Sequence, residues 1–308
     1  MKPTILYEFP FDAFSKEKID LFHGTNFTIL PTTKAKSVVT VHDLAYMIYP
    51  ETTSEKIYNH HMKWVPYSVN EANRVIADSS QTKQDIMKLL HVPEEKIDVV
   101  YLAADPMFKP MSPLECEYVR ERYVLPGKYV LYVGTIEPRK NLMTLIRAFD
   151  KMKKRGHIEE KLVIVGAKGW KFSPIFELMK ECQLENDVIF LGYVNDEDLV
   201  SIYNGATSLV LPSVYEGFGL PLLEAMQCGI PVLGSNVSSI PEVIGDAGIL
   251  VEPMDIDSWV DSIENVVSDK QLHQRLVSKS LERAAQFSWN KVAEQTIEVY
   301  NKTLAGSE

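Results

Sequence analysis

Short apolar runs alternate with amphipathic stretches along most of the chain. Apolar runs bounded by Gly, Pro or Asp predict strands at residues 129–133, 161–165, 187–191, 208–211, 231–234 and 248–251. The stretches between them, such as "NLMTLIRAFDKMKK", repeat apolar residues at helical spacing. This alternation predicts an α/β unit in which helices cover both faces of a parallel sheet.

The first hundred residues repeat the pattern less completely. Strands are predicted at residues 19–23, 37–43, 74–78 and 98–102, with one more at 5–7, and helices near 54–70 and 80–90. Three prolines in "DPMFKPMSP" interrupt the pattern, so we predict domains at residues 1–110 and 111–288. The last helix, residues 289–308, has apolar positions that need a partner surface, and we expect it to cross back to the first domain.

Composition excludes several classes of function. The 308 residues carry a formal net charge of -10, which argues against nucleic-acid binding. Cys116, Cys182 and Cys228 are far apart and match no metal site, so we expect reduced thiols in a cytoplasmic protein. We find no signal peptide and no apolar run of membrane-spanning length. The basic cluster "KMKKRGH" (151–157) leaves open a contact with the inner face of the membrane, although a solvated helix end explains it as well.

The segment "PSVYEGFGLPLLEAMQCGIPVL" predicts a tight turn that leads into a short helix. Gly217 and Gly219 permit backbone conformations that a side chain disfavours. A proline suits the start of the following helix and a glycine its end, which places the helix at residues 220–228.

The start of that helix is a candidate binding site for an anion or a sugar. Backbone amides at Phe218, Gly219 and Leu220, with the positive end of the helix, are expected to bind a phosphate or a polar sugar edge. Glu216 and Glu224 each suit a vicinal diol, although glutamates near a helix start also simply complement its dipole.

Charged residues follow strands in both halves, and ligands of open parallel sheets collect at the carboxyl ends of strands. Arg139 and Lys140 precede a helix that begins at about residue 141, where they would neutralise a diphosphate or else form a surface pair. His42 and Asp43 end a strand of the first half. The imidazole of His42 would bind a sugar hydroxyl or stabilise transition-state charge, or it would have only a structural role. Asp43 would face the site or cap the next element.

The motifs resemble the retaining nucleotide-sugar glycosyltransferases of family 4, whose two-Rossmann-domain architecture is called GT-B. "EGFGLPLLE" (216–224) is similar to the family's E-x7-E motif. With "YVGTIEPRKNLMTLIRAF", "FLGYVNDEDLVSIYNGA" and "EAMQCGIPVLGSNVSSIPEVIGDAG" the resemblance covers residues 128–250. "HGTNFTILP", "SVVTVHDLAYMIYPE" and "RVIADSSQTKQDI" resemble the first domain of the branch rich in mannosyl- and rhamnosyltransferases. The resemblance implies an α/β fold with two Rossmann-like domains whose parallel sheets face a central cleft.

The resemblance also implies roles for individual residues. Those expected at the reacting groups are His42, Glu216, Lys140 and Arg139. Those expected to bind the donor are Gly134, Arg139, Lys140, Tyr193, Val194, Glu216, Gly217, Phe218, Gly219, Leu220 and Glu224, with Tyr193 and Val194 at the base, Glu224 at the ribose and Glu216 at the hexose. Asn26 and Asp43 are candidates on the acceptor side, and no metal or other cofactor is expected.

Two departures from the family pattern matter. Thr135 stands where relatives often carry an arginine, and eighteen residues precede Ile19 where relatives have many tens, so we expect a first domain shortened at its N-terminus. The implied function is metal-independent, retaining transfer of a mannose-like hexose from a nucleoside diphosphate sugar to a hydroxyl of a glycan or lipid-linked glycan. The alternative is a nucleotide-sugar-binding subunit that is inactive without a partner chain. An epimerase is disfavoured, because only Asp43 offers a carboxylate opposite Glu216.

Overall fold

The computed structural model describes residues 9–156 and 158–306, and the chain forms two compact units. The first unit contains Met1–Leu102 and Trp289–Glu308, and the second contains Ala103–Ser288. The division after Leu102 lies just before the proline-rich segment, somewhat earlier than the predicted position 110. The strand predicted at residues 5–7 falls outside the described residues.

The first unit is built on a four-stranded parallel sheet in the order β1-β2-β3-β4. Its strands are β1 (Leu21–Gly24), β2 (Lys36–Val41), β3 (Arg74–Ala77) and β4 (Ile97–Val99). The helices between them are α1 (Ala45–Ile48), α2 (Glu55–Glu71) and α3 (Ser80–Leu90). Ser79 caps α3 by accepting a hydrogen bond from the backbone N–H of Thr82.

Two strands of this sheet end earlier than their apolar runs predict. β2 ends at Val41, so His42 and Asp43 lie in the loop that follows it. β4 ends at Val99 rather than at residue 102. The reason is the neighbouring strand: β3 stops at Ala77 because α3 begins almost at once, which leaves the last residues of the run without a strand to pair with.

The second unit has a six-stranded parallel sheet, as the alternating pattern predicts. Its strand order is β10-β9-β8-β5-β6-β7. Its strands are β5 (Tyr129–Val133), β6 (Lys161–Val165), β7 (Val188–Gly192), β8 (Ser208–Leu211), β9 (Val232–Ser235) and β10 (Ile249–Val251). Its helices are α4 (Pro113–Arg122), α5 (Leu142–Arg155), α6 (Ser173–Glu181), α7 (Asp196–Gly205), α8 (Leu220–Gln227), α9 (Ile240–Ile244), α10 (Ile256–Ser268) and α11 (Lys270–Ala284).

The strand order of the second unit reverses between β5 and β8. Right-handed crossovers on either side of this point place helices on opposite faces of the sheet. The contacts agree, since α5 packs on α6 and α10 while α8 packs on α7, α9 and α11. Such a reversal leaves a crevice at the carboxyl ends of the two central strands, where ligands of doubly wound folds bind.

The last helix, α12 (Trp289–Ala305), packs on β2 and β3 of the first unit. Val299 is 2% exposed and completes a core cluster with Val38, Ile76 and Val100. The hydroxyl of Tyr300 lies 2.7 Å from Nδ1 of His23. Part of the apolar face of the terminal helix therefore finds its partner surface on this sheet, whereas Trp289 and Ile297 stay exposed.

Candidate functional site

The loops that follow β5, β6 and β7 touch through their backbones. The N–H of Gly134 donates to the carbonyl of Val165 at 2.9 Å, and that of Gly166 donates to the carbonyl of Gly192 at 2.8 Å. A Cβ on Gly166 would lie 2.0 Å from the carbonyl oxygen of Gly134, so only glycine allows this approach. Three neighbouring strand ends are thereby fixed against one another.

Arg139 and Lys140 lie in a short 3-10 turn between β5 and α5. Nζ of Lys140 donates to Oε1 of Glu216 at 2.6 Å, and Nη1 of Arg139 donates to Oε2 of Glu216 at 3.2 Å. Nη2 of Arg139 donates to Oε1 of Glu137 at 2.6 Å. The structure therefore brings three predicted residues into one buried group and adds Glu137 to them. We call these four residues the ion cluster.

The backbone and side chain of Glu216 are held by serines. The hydroxyl of Ser213 donates to Oε1 of Glu216 at 2.6 Å, and that of Ser239 donates to its carbonyl oxygen at 2.9 Å. The N–H of Glu216 donates to the hydroxyl of Ser238 at 2.9 Å. The carboxylate thus has a fixed position between the carboxyl ends of β5 and β8.

The two carboxyl groups of the ion cluster have opposite pKa shifts. Burial alone would raise the pKa of Glu216, but the Lys140 ammonium and the Arg139 guanidinium outweigh it and lower this pKa to about 2. For Glu137, burial dominates over the same two cations and raises the pKa of the carboxyl group. Glu216 is therefore ionised at neutral pH, and its charge holds both cations in place.

Helix α8 begins directly after Gly219, which has a φ of 100° and lies at the N-cap. The Cys228 side chain is buried, as expected for a small apolar residue. Glu224, inside α8, accepts a hydrogen bond from the hydroxyl of Tyr203 at 2.7 Å. Burial raises the pKa of the Glu224 carboxyl group. The two glutamates of the predicted motif thus have different partners, since one is ion-paired and the other is bound by a neutral phenol.

The remaining donor-side candidates of the second unit differ in exposure. Tyr193 is 79% exposed and directly follows β7, whereas Val194 is 4% exposed. Phe218 is also buried, and its ring packs against that of Phe287 at 5.9 Å. The side chains of Val194 and Phe218 therefore belong to the core, while the Tyr193 ring is accessible to a ligand.

The first unit holds His42, Asp43 and Asn26 at the ends of β1 and β2. The ring of His42 lies between the carboxylate of Asp78 and the backbone carbonyl of Thr25. Oδ1 of Asp43 accepts a hydrogen bond at 2.9 Å from the N–H of Ala45, the first residue of α1, so Asp43 serves the start of the next element, which is one of its two expected roles. Asn26 is exposed.

Several residues of these sites carry no sequence signal. Glu137, Asp78 and Tyr203 each contact a predicted residue, and the serines at 213, 238 and 239 hold Glu216. Glu137 and Ser213 lie close to their partners along the chain, but no motif marks them. Tyr203 and Asp78 lie 21 and 36 residues from theirs, a separation that only the fold closes.

The basic cluster at the end of α5 is paired with carboxylates. Its ion pairs are Lys151 with Asp257, Lys153 with Asp187, Lys154 with Asp150, and Arg155 with Asp261 and Glu264. His157 lies outside the described residues. These pairs favour the interpretation as a solvated helix end.

Neither a membrane span nor a metal centre is found in residues 9–156 and 158–306. Each helix there is too short or too polar to cross a bilayer. No group of three or more His, Cys, Asp or Glu side chains within those ranges is arranged to hold a metal ion.

Both halves of the chain match known families. Residues 120–283 match the family model described as glycosyl transferases group 1, and residues 11–108 match that of glycosyltransferase family 4. The chain is 36% identical to O-antigen chain mannosyltransferase B of Escherichia coli over 91% of its own length and 74% of that protein. It is 31% identical to the serotype-specific mannosyltransferase WbdA of Escherichia coli over 77% of its length, which is 30% of WbdA.

Solved structures share the fold. Sucrose-phosphate synthase from Thermosynechococcus elongatus superimposes with a TM-score of 0.75 at 26% identity, over 94% of this chain and 74% of the synthase. HepE from Anabaena, in complex with UDP and glucose, superimposes with a TM-score of 0.74 at 22% identity, over 87% of this chain and 72% of HepE. With the two parallel-sheet units and the family matches, these likenesses identify a GT-B fold. The chain therefore belongs to the family 4 glycosyltransferases, in their mannosyltransferase branch.

Proposed function

We propose that this glycosyltransferase moves a mannose-like hexose from a nucleoside diphosphate sugar to an acceptor hydroxyl, with retention of configuration and without a metal ion. The observation that carries the proposal is the ion cluster, in which Lys140 and Arg139 flank Glu216 at the carboxyl ends of β5 and β8. A guanidinium and an ammonium at one point of an acidic molecule are suited to a diphosphate.

The difficult step of sugar transfer is the departure of the diphosphate, which develops negative charge. Charged donors accelerate such a step most when they are already in position. Glu137 and Glu216 hold the two cations at nitrogen–oxygen distances of 2.6 to 3.2 Å and balance their charge in the free protein. Lys140 and Arg139 would thus supply the positive charge that a metal ion supplies in other transferases.

The proposed reaction takes place on one face of the sugar. The bond from the anomeric carbon to the diphosphate oxygen breaks, and a bond to the acceptor oxygen forms on the same face. The acceptor proton passes to an oxygen of the departing diphosphate, so no protein base is needed. The positive end of α8 adds to the cations that receive the leaving group.

The relatives support the choice of donor and acceptor. The name of O-antigen chain mannosyltransferase B supports a mannose-like sugar and a glycan acceptor, and the HepE complex with UDP-glucose supports a nucleoside diphosphate sugar. The exposed ring of Tyr193 suits stacking on the base, and Glu224 suits the ribose. In this proposal His42 also contacts the transferred sugar.

Replacing Lys140 tests the role of the ion cluster. In Lys140→Ala, transfer from the preferred sugar nucleotide should fall on the order of 10²-fold, because a charge contact that grows in the transition state is lost. The measurement is release of nucleoside diphosphate and formation of glycoside, across a panel of sugar nucleotides and acceptors with EDTA present. Lys279→Ala, which removes an exposed ammonium paired with Asp246, is the matched control and should keep full activity. Unchanged turnover in Lys140→Ala would contradict the role of Lys140.

The same assays separate the finer parts of the proposal. Proton NMR of the product reports the anomeric configuration, and an inverted product would overturn retention. Activity that EDTA abolishes and Mg²⁺ restores would overturn metal independence. A sugar nucleotide that raises the melting temperature but is neither transferred nor hydrolysed would replace the proposal with a binding subunit.

A further inference from the structure

The ring of His42 lies between two groups that only accept hydrogen bonds. Nδ1 is 2.6 Å from Oδ2 of Asp78, and Nε2 is 3.1 Å from the carbonyl oxygen of Thr25. A neutral imidazole has one N–H and could satisfy only one of these contacts. Both contacts are satisfied when both nitrogens carry a hydrogen, which makes the ring a cation.

Burial raises the pKa of the Asp78 carboxyl group, and the hydrogen bond and positive charge of His42 oppose that rise. Asp78 is 2% exposed, and its Oδ1 is buried with no hydrogen-bond donor among the described residues. A buried carboxylate is costly unless an opposite charge compensates it. His42 is the group that meets the other oxygen, so each ion stabilises the other.

The neighbours of His42 leave this arrangement intact. The hydrogen bond that His42 donates to Asp78 raises the pKa of His42 against the effect of burial, and the negative charge of Asp43 adds to the shift. The ring of Phe27 meets the imidazole edge to face at 5.1 Å and covers it without a polar contact. About a third of the His42 side chain stays exposed.

Titratable groups beyond Phe27 do not supply a competing cation. His61 packs on Phe27 at 4.8 Å, and its pKa is lowered by burial and then by the charge of His60. Tyr46 packs on His61 at 5.0 Å, and burial raises the pKa of its hydroxyl group. Among these aromatic and histidine side chains, His42 is therefore the one that the geometry favours as a cation near neutral pH.

We propose that Asp78 is a positioning residue that holds His42 as a fixed cation at the carboxyl end of β2, so that His42 acts by its charge and not as a general base. An imidazolium has no free nitrogen to accept a proton from an acceptor hydroxyl. What the cation stabilises rests on the proposed function, whereas its ionisation state does not. A base with a raised pKa carries its charge below that pKa and loses it as the pH rises. Transfer should therefore decline as the pH rises through the pKa of His42.

The ionisation state can be measured without any substrate. NMR titration of the histidine rings in the full chain, with the His42 signal assigned through His42→Gln, should show His42 protonated to a higher pH than an ordinary histidine. In Asp78→Asn, the side-chain amide can donate to Nδ1 while Nε2–H still meets Thr25. The ring then keeps its place as a neutral group, and its pKa should move down.

Two controls accompany this titration. Asp43→Asn removes a neighbouring charge that makes no hydrogen bond to the ring, so the pKa of His42 should move less than in Asp78→Asn. His23 lies between the hydroxyls of Tyr300 and Thr40, and burial lowers its pKa. Its signal should titrate at low pH and should not respond to changes at Asp78.

Transfer assays add a second readout. At neutral pH, kcat in Asp78→Asn should fall about tenfold, the difference between a charged and a neutral hydrogen-bond donor, and the decline at high pH should begin earlier. A wild-type His42 that titrates like an ordinary histidine or lower would overturn the proposal, as would an unchanged pKa in Asp78→Asn. If Asp78→Asn fails to fold by circular dichroism, the wild-type titration decides. If the chain transfers no sugar, the proposed function is wrong, whereas the ionisation state measured for His42 is unaffected.

Discussion

Glu216 shows how charge outweighs burial at the scale of one residue. Its side chain is 8% exposed, which alone would favour the protonated form, yet Lys140 and Arg139 lower its pKa to about 2. The carboxylate and the two cations are therefore a single electrostatic unit. The sequence indicates that all three residues bind the same ligand, but only the fold shows that they pair with one another in the free protein.

The stability that Glu216 contributes should depend on pH. Because its folded pKa of about 2 lies below the ordinary value of 4.5, the contribution is full above pH 4.5 and is lost as the pH falls toward 2. At neutral pH, Glu216→Gln should lower the free energy of unfolding by about 3 kcal/mol, since it removes the buried negative charge that pairs with Lys140 and Arg139. Urea denaturation of both proteins should show this difference shrinking on acidification through that range.

Asp246→Asn provides the matched control for Glu216→Gln. Asp246 pairs with Lys279 at an exposed position, so its loss should lower the free energy of unfolding far less than the loss of Glu216 does at neutral pH. The difference in the free energy of unfolding between wild type and Glu216→Gln should not stay constant as the pH falls toward 2. A constant difference would contradict the ion pairs of Glu216.

At the scale of elements, backbone contacts between loops decide how the strand ends are arranged. The run "YVLYVG" predicts a strand and a turn, and "KLVIVG" predicts the same. Neither indicates that Gly134 and Gly166 touch. Sequence patterns define each element because their physical causes are local, whereas this contact joins residues from two elements.

Replacing Gly166 by Ala should disturb this arrangement. The new Cβ would meet the backbone of Gly134, so the loops must shift, at a cost of about 2–3 kcal/mol in the free energy of unfolding. Gly156→Ala is the control, since Gly156 has a positive φ but no atom within 4 Å of the added Cβ. It should cost about 1 kcal/mol from backbone strain alone. Equal losses for the two variants in urea denaturation would show that the close approach does not matter.

At the scale of the whole molecule, the chain ends in a helix that belongs to its first unit. α12 follows the second unit in sequence but contributes Val299 to the core beside β2 and β3. Its apolar positions predict a buried face, and the fold determines which surface covers that face. The first unit is therefore formed from two separate parts of the chain.

Shortening Val299 should weaken the first unit selectively. Val299→Ala should destabilise that unit by about 2 kcal/mol, because it removes buried methyl groups and leaves a cavity. Hydrogen–deuterium exchange should then quicken at β2 and β3 and stay unchanged at β5 and β8. Ile297→Ala changes a position on the same helix that is 54% exposed. It should change neither the stability of the first unit nor the exchange at β2 and β3. Equal protection of β2 in wild type and Val299→Ala would contradict the packing of α12 described above.

The sequence by itself determined most strands and the longer helices, the parallel sheet of the second unit and the family, because strand and helix periods and contiguous motifs are local properties of the chain. It also singled out Arg139, Lys140 and Glu216, since each follows a strand of an α/β pattern. The tertiary structure decided their partners. Glu216 opposite Arg139 and Lys140, Asp78 beside His42 and Tyr203 on Glu224 depend on hydrogen bonds and burial, which arise only when distant segments pack together. Charge state follows from those partners, and for that reason it could not be read from the order of residues.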